Sequence, residues 1–193
     1  DADAMPADDE TRKIRMLQSL LRVTYTSPRT MHWITSLLRL PLDRPEVVQA
    51  QAAAMVEAEL LGFIRNKVND SLRDSVNFTG FGIERIVYTY LDYLLAQRAD
   101  SPLPRDPDFV FRNSIEHFFP QSPVSGSDGA SAVGPEDPEL HSFGNLALIT
   151  AGANSKFSNA PPLAKVLLPE IRQSKKLELM AQIARKDGAW NKD

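Results

Sequence analysis

The sequence predicts a mainly helical α+β protein: an N-terminal helical array, then strand, loop, strand and helix, then C-terminal helices. Apolar residues recur at three- and four-residue steps through most of residues 9–97, which indicates amphipathic helices. The segment 100–108 contains three prolines and interrupts this period. Shorter apolar runs of strand type follow it. We therefore predict a disordered lead-in at 1–8, a helical domain at 9–108 and a second domain at 109–193.

The helical domain is predicted to contain four helices. Apolar periodicity places them at about residues 9–25, 27–40, 45–72 and 83–97. Ser27 followed by Pro28 is an N-cap with proline in the first turn, so this pair is expected to start the second helix. Pro41 is expected to end it, because proline lacks a backbone donor. Residues 77–82 include two glycines and indicate a loop before the fourth helix.

The second domain is predicted to begin with strands and to end with helices. Apolar or aromatic runs at 109–111 and 115–119 are of strand type, and 146–150 indicates a second strand. Between them, residues 122–139 are rich in Ser, Gly, Pro and Asp and indicate a long loop. After a turn at 151–153, one or two helices are expected to bury one apolar face, formed by Leu163, Val166, Leu167, Ile171, Leu177, Met180 and Ile183.

The composition restricts the chemistry. The chain has no cysteine, which excludes disulfides, thiolate catalysis and cysteine-ligated zinc. Any metal must therefore be held by oxygen and imidazole ligands, which favours a hard cation such as Mg²⁺ or Mn²⁺. No apolar run approaches the roughly 20 residues of a membrane-spanning helix, and no signal peptide is recognisable. We therefore expect a cytoplasmic protein without membrane contact.

The formal net charge of −3 is unevenly distributed along the chain. Residues 1–10 contain five acidic residues, whereas residues 156–193 contain eight basic and four acidic ones. A polyanion would be attracted to this basic C-terminal part. The solvated face of an ordinary helix explains the same excess of lysine and arginine equally well.

Three short segments contain a set of side chains typical of a one-metal phosphodiesterase. Phosphodiester hydrolysis requires a group that accepts a proton from water and a charge that stabilises the phosphate in the transition state. Histidine accepts protons near neutral pH, so His117 is the candidate base. Neighbouring side chains of a strand point to opposite faces, so Glu116 is expected to hold the cation.

Two asparagines complete this set. Asn154 lies near the start of a predicted helix, where its amide oxygen would serve as a second metal ligand. Asn145 is expected to bond to backbone groups across the long loop and to fix the position of His117.

The same segments resemble the HNH nucleases, also called His-Me or ββα-metal fingers. They resemble more closely the nuclease domain at the C-terminal end of GmrSD- and SspE-type bacterial defence proteins. The pattern there is Ile-Glu-His-aliphatic-x-Pro-Gln, then Gly-Asn-Leu-x-Leu, then Asn-Ser-Lys-x-Ser-Asn, followed by a lysine. This sequence matches the pattern at residues 115–121, 144–148 and 154–159, with Lys165 following.

The resemblance implies a ββα-metal finger and a role for each matching residue. His117 would be the general base, Glu116 and Asn154 the metal ligands, Asn145 the structural asparagine of the catalytic set, and Lys156 or Lys165 a contact to nucleic-acid phosphate. Asparagine stands at the third position of the signature in place of histidine, which leaves Asn159 as a competing ligand. For His141 two interpretations stay open: a contact to phosphate or metal, or an exposed loop residue.

By the same resemblance, we expect a Mg²⁺- or Mn²⁺-dependent endonuclease that nicks double-stranded DNA in bacterial defence against phage or modified foreign DNA. Larger family members carry an N-terminal nucleotide-binding domain. The sequence has no phosphate-binding glycine loop, so we expect that partner domain to be missing here. The alternatives are a non-catalytic module that binds DNA or another protein, and a nuclease directed at RNA.

Overall fold

The computed structural model describes residues 9–43, 45–74, 80–98, 109–123 and 137–190, and within them the protein is mainly helical, as predicted. The helices are α1 (Asp9–Thr24), α2 (His32–Asp43), α3 (Pro45–Asp74), α4 (Arg85–Gln97), α5 (Ala151–Phe157), α6 (Pro162–Lys165) and α7 (Lys175–Asp187). The strands are β1 (Ser114–His117) and β2 (Leu146–Ile149). The predicted lead-in at 1–8 and the proline-rich segment at 100–108 lie outside the described residues.

Helices α1, α3 and α4 pack together and form the first hydrophobic core. The apolar period of α1 places Leu17, Leu20 and Leu21 on one buried face, and Ile64 and Ile86 meet them from α3 and α4. None of the helices that the structure describes combines the length and the apolar character that a membrane crossing requires.

Helix α2 differs from the prediction at both ends. Ser27 caps a separate 3₁₀ turn at Pro28–Thr30, and α2 itself begins at His32. The helix also continues through Pro41 to Asp43. Pro41 lies in the last turn, where its missing donor removes one hydrogen bond just before the helix ends anyway. Of the residues of α2, only Trp33 is buried.

The two strands form an antiparallel pair in which Glu116 lies opposite Ala147 and His117 lies opposite Leu146. Strand β2 is buried on both faces. Leu146 and Leu148 belong to the core of the helical array, whereas Ala147 and Ile149 belong to a second core with α5 and α7. Side chains alternate between the two cores because a strand has a two-residue period. Since both faces of β2 are buried, all four of its residues are apolar.

Residues 109–111 form no strand, contrary to the prediction. Pairing begins at Ser114, opposite Ile149, the last residue of the four-residue strand β2. Asn113 still donates its backbone N–H to the carbonyl oxygen of Ile149 at 3.2 Å, but residues 109–111 lie beyond the end of β2. Val110 and Phe111 are exposed.

The C-terminal helices bury a different face from the predicted one. Val166, Ile171, Leu177 and Met180 are buried as expected, but three of the predicted residues are exposed: Leu163, Leu167 and Ile183. A 3₁₀ turn at Pro169–Gln173 separates α6 from α7, and Ser174 caps α7 afresh. The helical period therefore restarts at Ser174, and Ala181 and Ala184 occupy the buried face of α7 instead.

Helix α4 also packs against α7, and a buried polar network joins them. Asp92 of α4 pairs with Arg112 at 2.5 Å and accepts hydrogen bonds from the Ser174 hydroxyl and the Lys176 backbone N–H. Arg112 donates in addition to the carbonyl oxygens of Leu148 and Gln173. These contacts join residues on both sides of the domain boundary predicted at residue 108. The division into two domains stays a prediction.

Candidate active site

An open pocket of about 300 Å³ lies beside the end of β1. Its lining residues come from the turn before α4, from β1 and the chain after it, and from α5 and its C-terminal end: Phe81, Ile115, Glu116, His117, Pro120, Gln121, Asn154, Ser158 and Asn159. The structure thus brings together four residues that were selected from the sequence, namely Glu116, His117, Asn154 and Asn159.

His117 is buried at the end of β1 and contacts a second histidine. Its Nε2 lies 3.0 Å from Nδ1 of His141, which ends the 3₁₀ turn Pro138–His141. Burial, followed by the nearby His141 and Lys165, lowers the pKa of His117 to about 4. The imidazole of His117 is therefore neutral at neutral pH, as a proton acceptor must be.

Glu116 forms a buried ion pair with Lys165. The Lys165 ammonium lies 2.5 Å from Oε1 of Glu116, and it donates hydrogen bonds to the carbonyl oxygens of His117 at 2.5 Å and Phe118 at 3.1 Å. Burial raises the pKa of Glu116, and the charge of Lys165 opposes that rise. Burial likewise lowers the pKa of Lys165, and Glu116 opposes that decrease. Burial thus opposes both charges, and the contact between the two groups favours them.

The residues of the pocket fit a hard divalent cation. Oε1 of Glu116 is buried, and its contact among the described residues is the ion pair with Lys165. Carboxylate and amide oxygens are the ligands that Mg²⁺ prefers, and Asn154 and Asn159 line the same pocket. Within the described residues, no three or more His, Asp or Glu side chains cluster in a way that could hold a metal. Such a cation would therefore complete its shell with water and phosphate oxygens, as Mg²⁺ commonly does.

The local sequence explains how Asn154 reaches the pocket. Thr150 follows β2 directly and caps α5, because its side chain accepts a hydrogen bond from the Ala153 N–H. Thr150 alone thus separates the end of β2 from the start of α5. This short connection places Asn154 next to the end of the strand pair.

Asn145 bonds to backbone near both ends of the segment between the strands. Its amide nitrogen donates to the carbonyl oxygens of Phe119 and Leu140, at 3.1 and 2.9 Å. Its amide oxygen accepts from the Phe119 N–H at 2.8 Å and from the Trp190 indole at 3.2 Å. The side chain therefore fixes the backbone two residues after His117. Its membership of the catalytic set stays a prediction.

The two candidate phosphate-binding lysines have different surroundings. Lys156 is on α5, and its side chain is 67% exposed although it pairs with Glu170 at 2.5 Å. Lys165 is fully buried at the Glu116 ion pair. Its ammonium thus has three protein partners. A contact of either lysine with phosphate stays a prediction.

Phe81 was not selected from the sequence, yet it covers both histidines. Its ring centroid lies 5.3 Å from that of His117 and 5.4 Å from that of His141. The turn that carries it contacts β2 closely, since a Cβ at Gly80 would lie 2.2 Å from Leu146 Cδ1. The Tyr88 hydroxyl also donates to the Gly80 carbonyl oxygen at 2.9 Å. The sequence feature that could have indicated Phe81 is its position between Gly80 and Gly82.

Comparison with protein families places the chain in the class of restriction-endonuclease-type nuclease domains. The matching family model describes the C-terminal domain of the GmrSD restriction endonucleases and covers residues 66–193. This range is most of the chain, so the protein belongs to that family. It also begins within α3, well before the predicted boundary at 108. No curated protein and no solved structure matches the chain.

Proposed function

We propose that the protein is an HNH-type, metal-dependent endonuclease that hydrolyses phosphodiester bonds of double-stranded DNA. The observation that supports this best is the pocket shared by Glu116, His117 and Asn154. Their elements occur in the order strand, strand, helix, which is the order expected of a ββα-metal finger. Membership of a restriction-endonuclease family supports DNA as the substrate.

His117 accepts the proton of the attacking water at Nδ1. Its other nitrogen, Nε2, is occupied by the contact with His141, whereas Nδ1 has no hydrogen-bond partner among the described residues. For Nδ1 to accept a proton, a neutral His117 must carry its own proton on Nε2 and donate it to Nδ1 of His141. His141 is thus a positioning residue that selects the tautomer and orientation of the base.

Glu116 and Asn154 would hold the cation through their side-chain oxygens, with Asn159 as the alternative amide ligand. A bound Mg²⁺ or Mn²⁺ would stabilise charge on the phosphate and on the leaving oxygen. Lys165 already shares the Glu116 carboxylate and anchors the end of β1 through two carbonyl oxygens. Lys156, largely exposed on the helix of Asn154, is the better placed of the two lysines to contact a DNA phosphate.

A single site of this kind cuts one strand at a time, so the product is nicked DNA. The biological setting that we propose is bacterial defence against phage or modified foreign DNA. In that setting the chain acts together with an N-terminal nucleotide-binding domain of the same full-length protein.

Supercoiled plasmid tests the proposal directly. The wild-type chain, His117→Ala and the matched control His32→Ala are incubated with Mg²⁺, Mn²⁺ or chelator; His32 is an exposed histidine on α2. We expect metal-dependent open circles from the wild type and from His32→Ala, and intact plasmid from His117→Ala. Cleavage that persists in chelator would contradict the metal role. DNA binding without any cleavage would favour a non-catalytic binding module instead.

A further inference from the structure

A second pocket of about 420 Å³ lies between the end of α4, the chain before β1 and the start of α7. It shares no residue with the pocket of Glu116 and His117. Three cationic side chains line it: Arg112, Arg172 and Lys175. A concave site with several cations is suited to an anion.

Arg112 is the unusual member of this pocket, because it is buried and incompletely bonded. Its Nη1 bonds to Asp92 and to two backbone carbonyl oxygens. Its Nη2 is buried and has no hydrogen-bond partner among the residues that the structure describes. Buried donors without an acceptor are rare in folded proteins, and each one calls for an explanation such as an absent ligand. A guanidinium group with one unpaired N–H donor is suited to binding an oxyanion.

Asp92 and Glu178 offset the charges of Arg112 and Lys175, so among the described residues Arg172 supplies the net positive charge of the pocket. Asp92 lines it as well, but its carboxylate is buried and both oxygens are bonded, to Arg112, to Ser174 and to the Lys176 N–H. Lys175 pairs with Glu178 at 3.3 Å. Arg172 is exposed and has no ion-pair partner among the described residues, so its charge is available to a ligand.

The remaining walls indicate the size and kind of ligand. Ala96, Phe109 and Val110 supply apolar surface beside the cations. Thr150 lines the pocket near them, and its hydroxyl also contacts Gln173 Oε1. The volume is within the range of pockets that bind small organic molecules. An oxyanion with an attached organic part therefore fits better than a bare ion.

We propose that this pocket binds a phosphate group, carried either by a free nucleotide or by the DNA backbone, through Arg112 and Arg172. The site is separate from the proposed catalytic pocket, so it does not depend on the nuclease assignment. Arginine recognises phosphate through charge-assisted hydrogen bonds, which are stronger than neutral ones. Loss of one such contact weakens binding by at least about tenfold.

Isothermal titration calorimetry in phosphate-free buffer with chelator tests this site. The probes are inorganic phosphate, a mononucleotide and a short DNA duplex. The variants are Arg172→Ala, Arg172→Glu and the control Arg39→Ala, an exposed arginine on α2. We expect saturable binding of at least one probe to the wild type and to Arg39→Ala, at least about tenfold weaker binding to Arg172→Ala, and none to Arg172→Glu.

The three probes also separate the two sources of phosphate. Tighter binding of the mononucleotide would identify a small-molecule site, and tighter binding of the duplex would identify a backbone contact. His117→Ala should keep the phosphate affinity whatever its cleavage activity. Absence of binding by every probe, or equal affinity in Arg172→Ala and the wild type, would overturn the proposal.

Discussion

Nε2 of His117 and Nδ1 of His141 lie 3.0 Å apart, although the two residues are 24 positions apart in the chain. The contact occupies one nitrogen of His117 and leaves the other for the pocket. A change at His141 should therefore affect the base without removing it.

Replacing His141 with alanine tests this positioning role. We expect His141→Ala to lower kcat for plasmid nicking by about 10-fold to 100-fold, with a smaller change in KM, because the base loses its orienting partner. His141→Gln, which retains a polar side chain able to accept a hydrogen bond, should recover part of the rate. Equal loss of activity in His141→Gln and His141→Ala would indicate that the imidazole has another role.

Replacing His117 itself should have a larger effect on the rate. A general base contributes about 10²-fold to 10⁴-fold, so His117→Ala should lower kcat by that amount while DNA binding changes little. Urea denaturation of the same variant checks the fold. A loss of stability that accounts for the whole loss of activity would count against the assignment of His117 as the base.

The Glu116–Lys165 pair should be important for stability. Lys165→Met leaves the Glu116 carboxylate buried without its counter-charge, and removing one partner of a buried pair costs about 3–5 kcal/mol. Lys156→Met is the control, because the Lys156 side chain is 67% exposed, so its ion pair with Glu170 should contribute less than the fully buried pair. Urea denaturation compares both variants with the wild type. Similar stabilities of the two variants would show that Lys165 is not needed to neutralise Glu116.

Asn145 should stabilise the fold through its four hydrogen bonds. Asn145→Ala leaves buried backbone groups of Phe119 and Leu140 unpaired, at about 1–3 kcal/mol for each group that finds no water. Asn113→Ala, at an exposed asparagine before β1, is the control and should change the free energy of unfolding by less than about 0.5 kcal/mol. If both substitutions have the same small effect, Asn145 does not hold the two chain segments together.

The stability of the protein should fall in mild acid because of His117. Its pKa is about 4 in the folded protein and 6.5 as a reference value, so between these values the unfolded chain binds more protons than the folded one. The contribution of His117 to stability is thus complete above about pH 6.5 and is lost as the pH falls toward 4. The slope approaches about 1.4 kcal/mol per pH unit.

Denaturation midpoints measured from pH 7.5 to 4.5 check this prediction. The raised pKa of Glu116 acts in the opposite direction, so the wild type is compared with His117→Gln, which keeps Glu116. The difference between the two proteins should shrink as the pH falls. Parallel pH profiles would mean that His117 titrates alike in the folded and unfolded states.

Local patterns in the sequence were sufficient to predict most of the helices and both strands. The periods of three to four residues in α1 and α4 and the apolar run of β2 depend on residues next to each other in the chain. Leu163 and Leu167 were assigned wrongly to a buried face, because a local pattern does not show where the helical period restarts. Tertiary packing decides where the helical period restarts.

The candidate site, too, could be predicted only in part from local patterns. The motif pattern indicated that Glu116, His117 and Asn154 act together, and one pocket contains all three. Phe81 and the pairing of Lys165 with Glu116 were not anticipated, since these contacts join residues more than 30 positions apart. Spacing within a motif carries no information about such contacts.

Leu146 and Ala147 are neighbours in the chain, yet their side chains belong to different hydrophobic cores. One short strand is thus a common wall of the helical array and of the C-terminal helices. We expect evolution to have inherited these two parts as one unit, since a recombination point between them would leave one face of β2 without its partner.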